Sequence, residues 1–125
     1  HNRVSLLTAV MDRICGIRLG GSDVFLNVAG GVKVDETAID LGIVSAMASS
    51  FLDRPIFPGT VVFGEVGLTG EIRGISQTAL RIREASRMGF SRCILPRTQG
   101  GEGLRDKGIE LIPIRSLREL PEHLF

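Results

Sequence analysis

The sequence has 125 residues, 43% hydrophobic and 23% charged, a balance that suits one compact domain with its own core and excludes an intrinsically disordered chain. It contains no Trp or Tyr, which argues against a nucleic-acid site built on rows of stacking rings and leaves charge as the means of holding any nucleic acid. The net charge is only +1, yet 13 of the 15 basic residues are Arg, suited to bidentate contact with phosphate or carboxylate, although a GC-rich genome also favours Arg codons.

In chain order, Val4, Leu7, Val10, Met11 and Ile14 fall at three- and four-residue spacing. That spacing predicts an amphipathic helix over 2–15, with Asn2 as N-cap and Gly16 as stop. After a Gly-Gly-Ser-Asp turn, residues 24–29 read as a buried strand ending at Gly30-Gly31. Residues 37–51 are apolar on nearly every side, too long for a strand and too broad a stripe for a surface helix, and so predict a central helix. Asp35 and Glu36 oppose the dipole at its start, and Asp53-Arg54-Pro55 closes it. Residues 60–66 and 71–73 read as the two strands of a hairpin around Gly67-Leu68-Thr69-Gly70. Residues 76–88 predict another helix with Ser76 as N-cap, 92–95 a strand, 98–103 a mobile glycine-rich loop, 110–114 a late strand and Ser116 the start of a short helix. No repeat or linker interrupts the series, so the expectation is a single α/β (α+β) domain.

Cys15 and Cys93 lie far apart in apolar segments, the pattern of buried free thiols in a reduced cytoplasmic setting, with a disulfide left open as an alternative. His1 and His123 have no Cys or His at ligand spacing, so no metal site is expected. No apolar run has the length of a membrane span, and the first residues lack the features of a signal peptide. A chain that begins at His1 instead of Met suggests a cytoplasmic fragment of a longer protein.

Three stretches carry a specific resemblance. Residues 28–41 read Val-Ala-Gly-Gly-Val-Lys-Val-Asp-Glu-Thr-Ala-Ile-Asp-Leu, and residues 64–75 read Gly-Glu-Val-Gly-Leu-Thr-Gly-Glu-Ile-Arg-Gly-Ile. Arg81-Ile82-Arg83-Glu84-Ala85 and Met88-Gly89-Phe90 follow, and Asn2-Arg3 opens the chain. Together they resemble the C-terminal domain of the RadA (Sms) family of bacterial DNA repair and recombination ATPases, a version of the Lon protease proteolytic domain. The resemblance implies a Lon-like fold of the ribosomal protein S5 domain 2-like class over residues 1–125. It also implies a hexameric ring, and a parent protein with an upstream zinc finger and RecA-like ATPase core. The sequence has no Gly-x-x-x-x-Gly-Lys-Ser/Thr phosphate loop. The chain alone is therefore expected to hold no cofactor, with ATP, magnesium and zinc belonging to the absent parent domains.

Lon enzymes cleave peptides with a serine activated by a lysine, and both are needed. Laying the two signatures on the Lon motifs puts Ala38 at the serine position and Ala79 at the lysine position. A methyl group can neither attack a carbonyl nor take a proton, so the expectation is a pseudoprotease. Thr37 and Ser76 stand nearby but have no base, since Lys33 and Lys107 are the only lysines and lie elsewhere in the sequence. Thr37 as a helix cap and Ser76 as an N-cap suffice as structural readings. Asp40 replaces a glycine of Lon and puts a carboxylate in the first turn of an apolar helix, where it needs exposed amides or an Arg as partner.

From Arg73 to Arg97 the chain carries six Arg (73, 81, 83, 87, 92 and 97) against Glu84, a balance of 6 minus 1, or +5, in a chain of net charge +1. Arg83 and Arg87, four apart on one predicted helix face, suggest an anionic partner. Arg73, Arg81, Arg83, Arg87 and Arg92 are therefore the candidate contacts to the phosphate backbone of single-stranded or branched DNA. The resemblance adds a parent protein that processes recombination intermediates by branch migration, with the RecA recombinase as a possible partner and no membrane role. The alternatives are a purely structural oligomerisation module and an active Ser-Lys peptidase.

Overall fold

The computed structural model describes residues 2–16, 36–97 and 108–125. The strand expected over 24–29, the loop over 98–103, Asp35 and the lysines at 33 and 107 lie outside the described residues. Helix α1 runs Asn2–Cys15, α2 runs Asp40–Leu52 after a short 3-10 turn over Thr37–Ile39, α3 runs Thr78–Arg87 and α4 runs Leu120–Leu124. The described strands are β1 (Thr60–Val62), β2 (Glu65–Val66), β3 (Ile72–Arg73), β4 (Arg92–Pro96) and β5 (Glu110–Ile114). Strands β1, β4 and β5 form a parallel sheet in the order β1-β4-β5, and β2 and β3 form an antiparallel pair. The described residues thus make one small α/β domain.

The central strand β4 explains the layering. Its alternate side chains leave by opposite faces of the sheet. Ile94 joins a core with Leu7, Val10 and Met11 of α1 and Leu41, Val44 and Met47 of α2. Cys93 and Leu95 instead join Ile82 and Ala85 of α3 in a second core. A strand covered on both faces reads as a continuous apolar run, as Cys93-Ile94-Leu95-Pro96 does.

The expected first hairpin strand is divided. Thr60–Val62 pairs in parallel with β4, whereas Glu65–Val66 pairs antiparallel with β3. The pivot is Gly64, with a φ of +151°, where a Cβ would stand 3.2 Å from both Ile72 Cγ2 and Pro96 Cγ. Only glycine fits such a backbone in so little space. The hairpin itself forms as expected, closed by Gly70 N–H donating to the Gly67 carbonyl at 3.0 Å.

Several caps differ from expectation. Asn2 is already the first residue of α1, and Gly16 does end that helix with a φ of +71°. Glu36 precedes the 3-10 turn, and no side-chain cap bond forms there, so Thr37 is not a cap. Helix α3 starts two residues late, because Gln77 takes the left-handed conformation (φ 60°, ψ 40°) and displaces Ser76 from the N-cap. Ser116 does cap the last helical segment, with Glu119 completing a reciprocal capping box.

Candidate functional site

The start of α2 is closed from two sides. Asp40 is fully buried. Its Oδ1 accepts from Arg3 Nε at 2.9 Å, and its Oδ2 accepts from the Arg3 terminal nitrogen and from the Val66 N–H at 3.0 Å. Both a helix and a strand are thereby tied to this carboxylate, which supplies the partner that a charge in an apolar turn requires. On the other side, Gly64 N–H donates to the Ala38 carbonyl at 2.9 Å, and Leu41 N–H donates to the Gly64 carbonyl at 3.1 Å. Ala38 is buried, 4% exposed, against Phe63, Ile75 and Ile82.

Ala79 lies on the exposed side of the first turn of α3. The starts of the two helices are neighbours, because Arg81 pairs with Glu36 at 3.3 Å while its Nε donates to the Ser76 carbonyl at 3.0 Å. Ala38 and Ala79 therefore sit on segments that the fold brings together, although far apart in sequence. Neither thiol of the chain is activated. Cys15 and Cys93 are both free, and burial alone pushes Cys93 up to about 12, which keeps it protonated and unreactive.

The arginines are less uniform than their crowding along the chain suggests. Arg73 pairs with Glu71 at 2.8 Å and Glu65 at 3.6 Å, and Arg87 with Glu84 at 2.8 Å. The Arg92 side chain is only 14% exposed: it donates to Thr60 Oγ1 at 2.8 Å and the His123 carbonyl at 2.7 Å, lies over the Phe57 ring at 4.7 Å, and has Glu110 at 3.9 Å. It anchors the C-terminal helix to the sheet. Arg83 is exposed and has no ion pair among the described residues. Of the acids involved, only Glu84 lies within the 73–97 segment; Glu36, Glu65, Glu71 and Glu110 come from elsewhere in the chain, and the charge balance of the segment in space is far smaller than in sequence.

What remains outward on α3 is a compact face. Ala79, Arg83 and Arg87 form one column and Leu80, Glu84 and Met88 the next, by four-residue spacing. Leu80 and Met88 are 43% and 72% exposed, well above the usual state of such side chains in a core. Charge and apolar surface thus adjoin on one helix. A separate shallow cavity of about 480 Å³ lies at the amino ends of β4 and β5 beside Phe57, Arg92, Glu110 and His123.

The chain is 49% identical over 119 residues, 95% of its length, to the protein named DNA repair protein RadA of Bacillus subtilis (strain 168). This chain is homologous to one domain of RadA. RadA of Halalkalibacterium halodurans is 44% identical over 98% of the chain, and RadA of Synechocystis 40% identical over 91%. The chain spans only about a quarter of these curated relatives, 26%, 27% and 22% of their respective lengths. No protein-family model matches it. Against this RadA background, the sequence had singled out Asp40 and the arginines. It gave no role to Arg3, Glu65, Glu71 or Glu110, and to Glu36 only that of opposing a helix dipole; the fold alone brings these residues to their partners.

Proposed function

We propose that this chain is a catalytically inactive Lon-like domain of a RadA-type DNA repair and recombination ATPase, serving as a DNA-binding platform and as part of a hexameric ring. The observation that carries the inactive reading is the pair of neighbouring helix starts with Ala38 and Ala79 where a Ser-Lys dyad would need a hydroxyl and an amine. The Arg3–Asp40 pair fills the same region with a structural contact, which agrees with loss of a substrate site. On this reading the parent protein processes recombination intermediates by branch migration in the cytoplasm, with the RecA recombinase as a partner. ATP, magnesium and zinc would be held by other parts of that parent.

For DNA, the α3 face is the surface of choice. Arg83 is exposed with no ion pair among the described residues, Arg87 stands four residues on along the same face in an exposed ion pair worth little in water, and Arg81 and Arg73 hold surface ion pairs away from that column. Arg92 is assigned to the domain's internal contacts. Contact would be to the backbone of single-stranded or branched DNA, without sequence readout. A second reading, a purely structural oligomerisation module, is favoured by the carboxylate found beside each of Arg73, Arg81, Arg87 and Arg92 and by the exposed Leu80 and Met88. Fluorescence anisotropy with unrelated labelled oligonucleotides at two salt concentrations, beside size-exclusion chromatography, separates the two. Binding that falls with salt and ignores sequence supports the platform, and an oligomer with no DNA affinity supports the scaffold alone.

A further inference from the structure

We infer that Glu84 is a built-in competitor for the phosphate that Arg87 would otherwise take, so that this carboxylate sets the DNA affinity of the α3 face. The inference rests on the DNA-binding reading above and deepens it. Glu84 and Arg87 are one helical turn apart, with Arg87 Nη1 2.8 Å from Glu84 Oε2, and their side chains are 50% and 71% exposed. The pair lies on the same exposed helical surface as Arg83, which has no ion pair among the described residues and is one residue from Glu84 in sequence and four from Arg87.

A carboxylate in this place acts on DNA in two ways. It occupies the guanidinium in the free protein, so the pair must open before a phosphate can be grasped. It then remains as a negative charge beside an incoming polyanion, which an oppositely charged neighbour would not be. Glu36 stands toward Arg81 in the same relation at 3.3 Å, on a helix start and not on α3 itself. The arrangement repeats the motif of one arginine and one acid along the surface and leaves Arg83 as the contact without an internal rival among the described residues. Affinity is thereby held below what the arginines alone would give.

Exposed pairs of this kind are weak, so relieving the competition at Arg87 should tighten binding by about two- to fivefold. The experiment titrates a labelled oligo(dT) strand with the 125-residue chain and its variants Glu84→Gln, Arg87→Ala and Glu84→Gln/Arg87→Ala at low salt, with circular dichroism to confirm folding. The expected result is tighter binding by Glu84→Gln and a clearly smaller gain from Glu84→Gln once Arg87 is alanine, since only the weaker charge repulsion is then relieved. Unchanged or weaker binding by Glu84→Gln, with the unmodified chain binding normally, overturns the competitor role while leaving the DNA-binding reading standing. An equal gain in both backgrounds also overturns it, since a general change of net charge would then account for the effect. Absence of salt-dependent binding by every protein, Glu84→Gln included, sinks both readings together.

Discussion

Asp40→Ala and Arg3→Met probe the closed start of α2 from its two members. Asp40 is fully buried, and its carboxylate receives three hydrogen bonds, two from Arg3 and one from the Val66 N–H. Breaking a buried pair from one side costs about 3–5 kcal/mol, because the remaining charge has lost its partner. The two substitutions differ in what they leave behind. The Arg3 side chain is 23% exposed and can turn toward water, so Asp40→Ala should cost less than that range, about 2–3 kcal/mol with the orphaned Val66 amide included. Arg3→Met strands a carboxylate that water does not reach and should cost about 4 kcal/mol. At about 3–5 °C per kcal/mol for a domain of this size, Arg3→Met lowers the Tm by more than about 10 °C. Replacing both by apolar residues, Arg3→Met with Asp40→Leu, should cost less than the sum, since no charge is then left unpaired. Asp40→Gly should also fold and melt lower. Urea and thermal melts followed by circular dichroism measure all four, and single variants within about 0.5 kcal/mol of the unmodified chain would refute the reasoning.

Gly64→Ala places a methyl group 3.2 Å from Ile72 and Pro96 at a backbone angle that alanine avoids, and should cost about 1–3 kcal/mol by calorimetry; a neutral result would mean the pivot can relax. Hydrogen bonds from the Thr69 hydroxyl, the hairpin backbone and Arg73 lower the Glu71 carboxyl from 4.5 to about 2. A depressed carboxylate contributes stability that is fully present above its unfolded value and lost as pH falls through the folded one, so the advantage over Glu71→Gln should vanish between pH 4.5 and about 2. Parallel stability profiles for the two proteins across that window would contradict it. Ala38→Ser or Ala79→Lys alone should give no cleavage of an unstructured protein such as casein, because nucleophile and base act as a unit. Proteolysis by either variant, or by the unmodified chain, would overturn the inactive reading.

Sequence reasoning reached the elements whose signal is local. Apolar spacing located α1, the broad apolar run located α2, and Ser116 announced the last helical segment with a capping residue three positions before Glu119. It misjudged places where a single residue changes the backbone's course. Gly64 splits an apolar run that looked like one strand, and Gln77 in the left-handed region delays α3 past Ser76. Gly64 was visible as a glycine inside a strand pattern, a recognised mark of a bend or a close approach. Gln77 gave no such warning. The site was legible to the extent that a buried carboxylate at Asp40 demands a partner, but the partner lies 37 residues away in α1. Counting charges along the chain overstated the basic surface, since four of the carboxylates that meet these arginines come from outside the 73–97 segment. Charge segregation in sequence becomes charge segregation in space only when the intervening elements do not fold their acids back onto it.

The claim that α3 carries the DNA-binding surface is tested most directly by Arg83→Ala with Arg87→Ala. Both side chains are exposed, so folding should survive, with the melting temperature close to that of the unmodified chain. On single-stranded DNA each lost phosphate contact reduces the slope of log affinity against log salt by about 0.7, so the double variant should flatten it by about 1.4. The account predicts that flattening together with an equal loss of affinity on unrelated sequences. A double variant that stays folded and keeps both the affinity and the salt slope of the unmodified chain would contradict it.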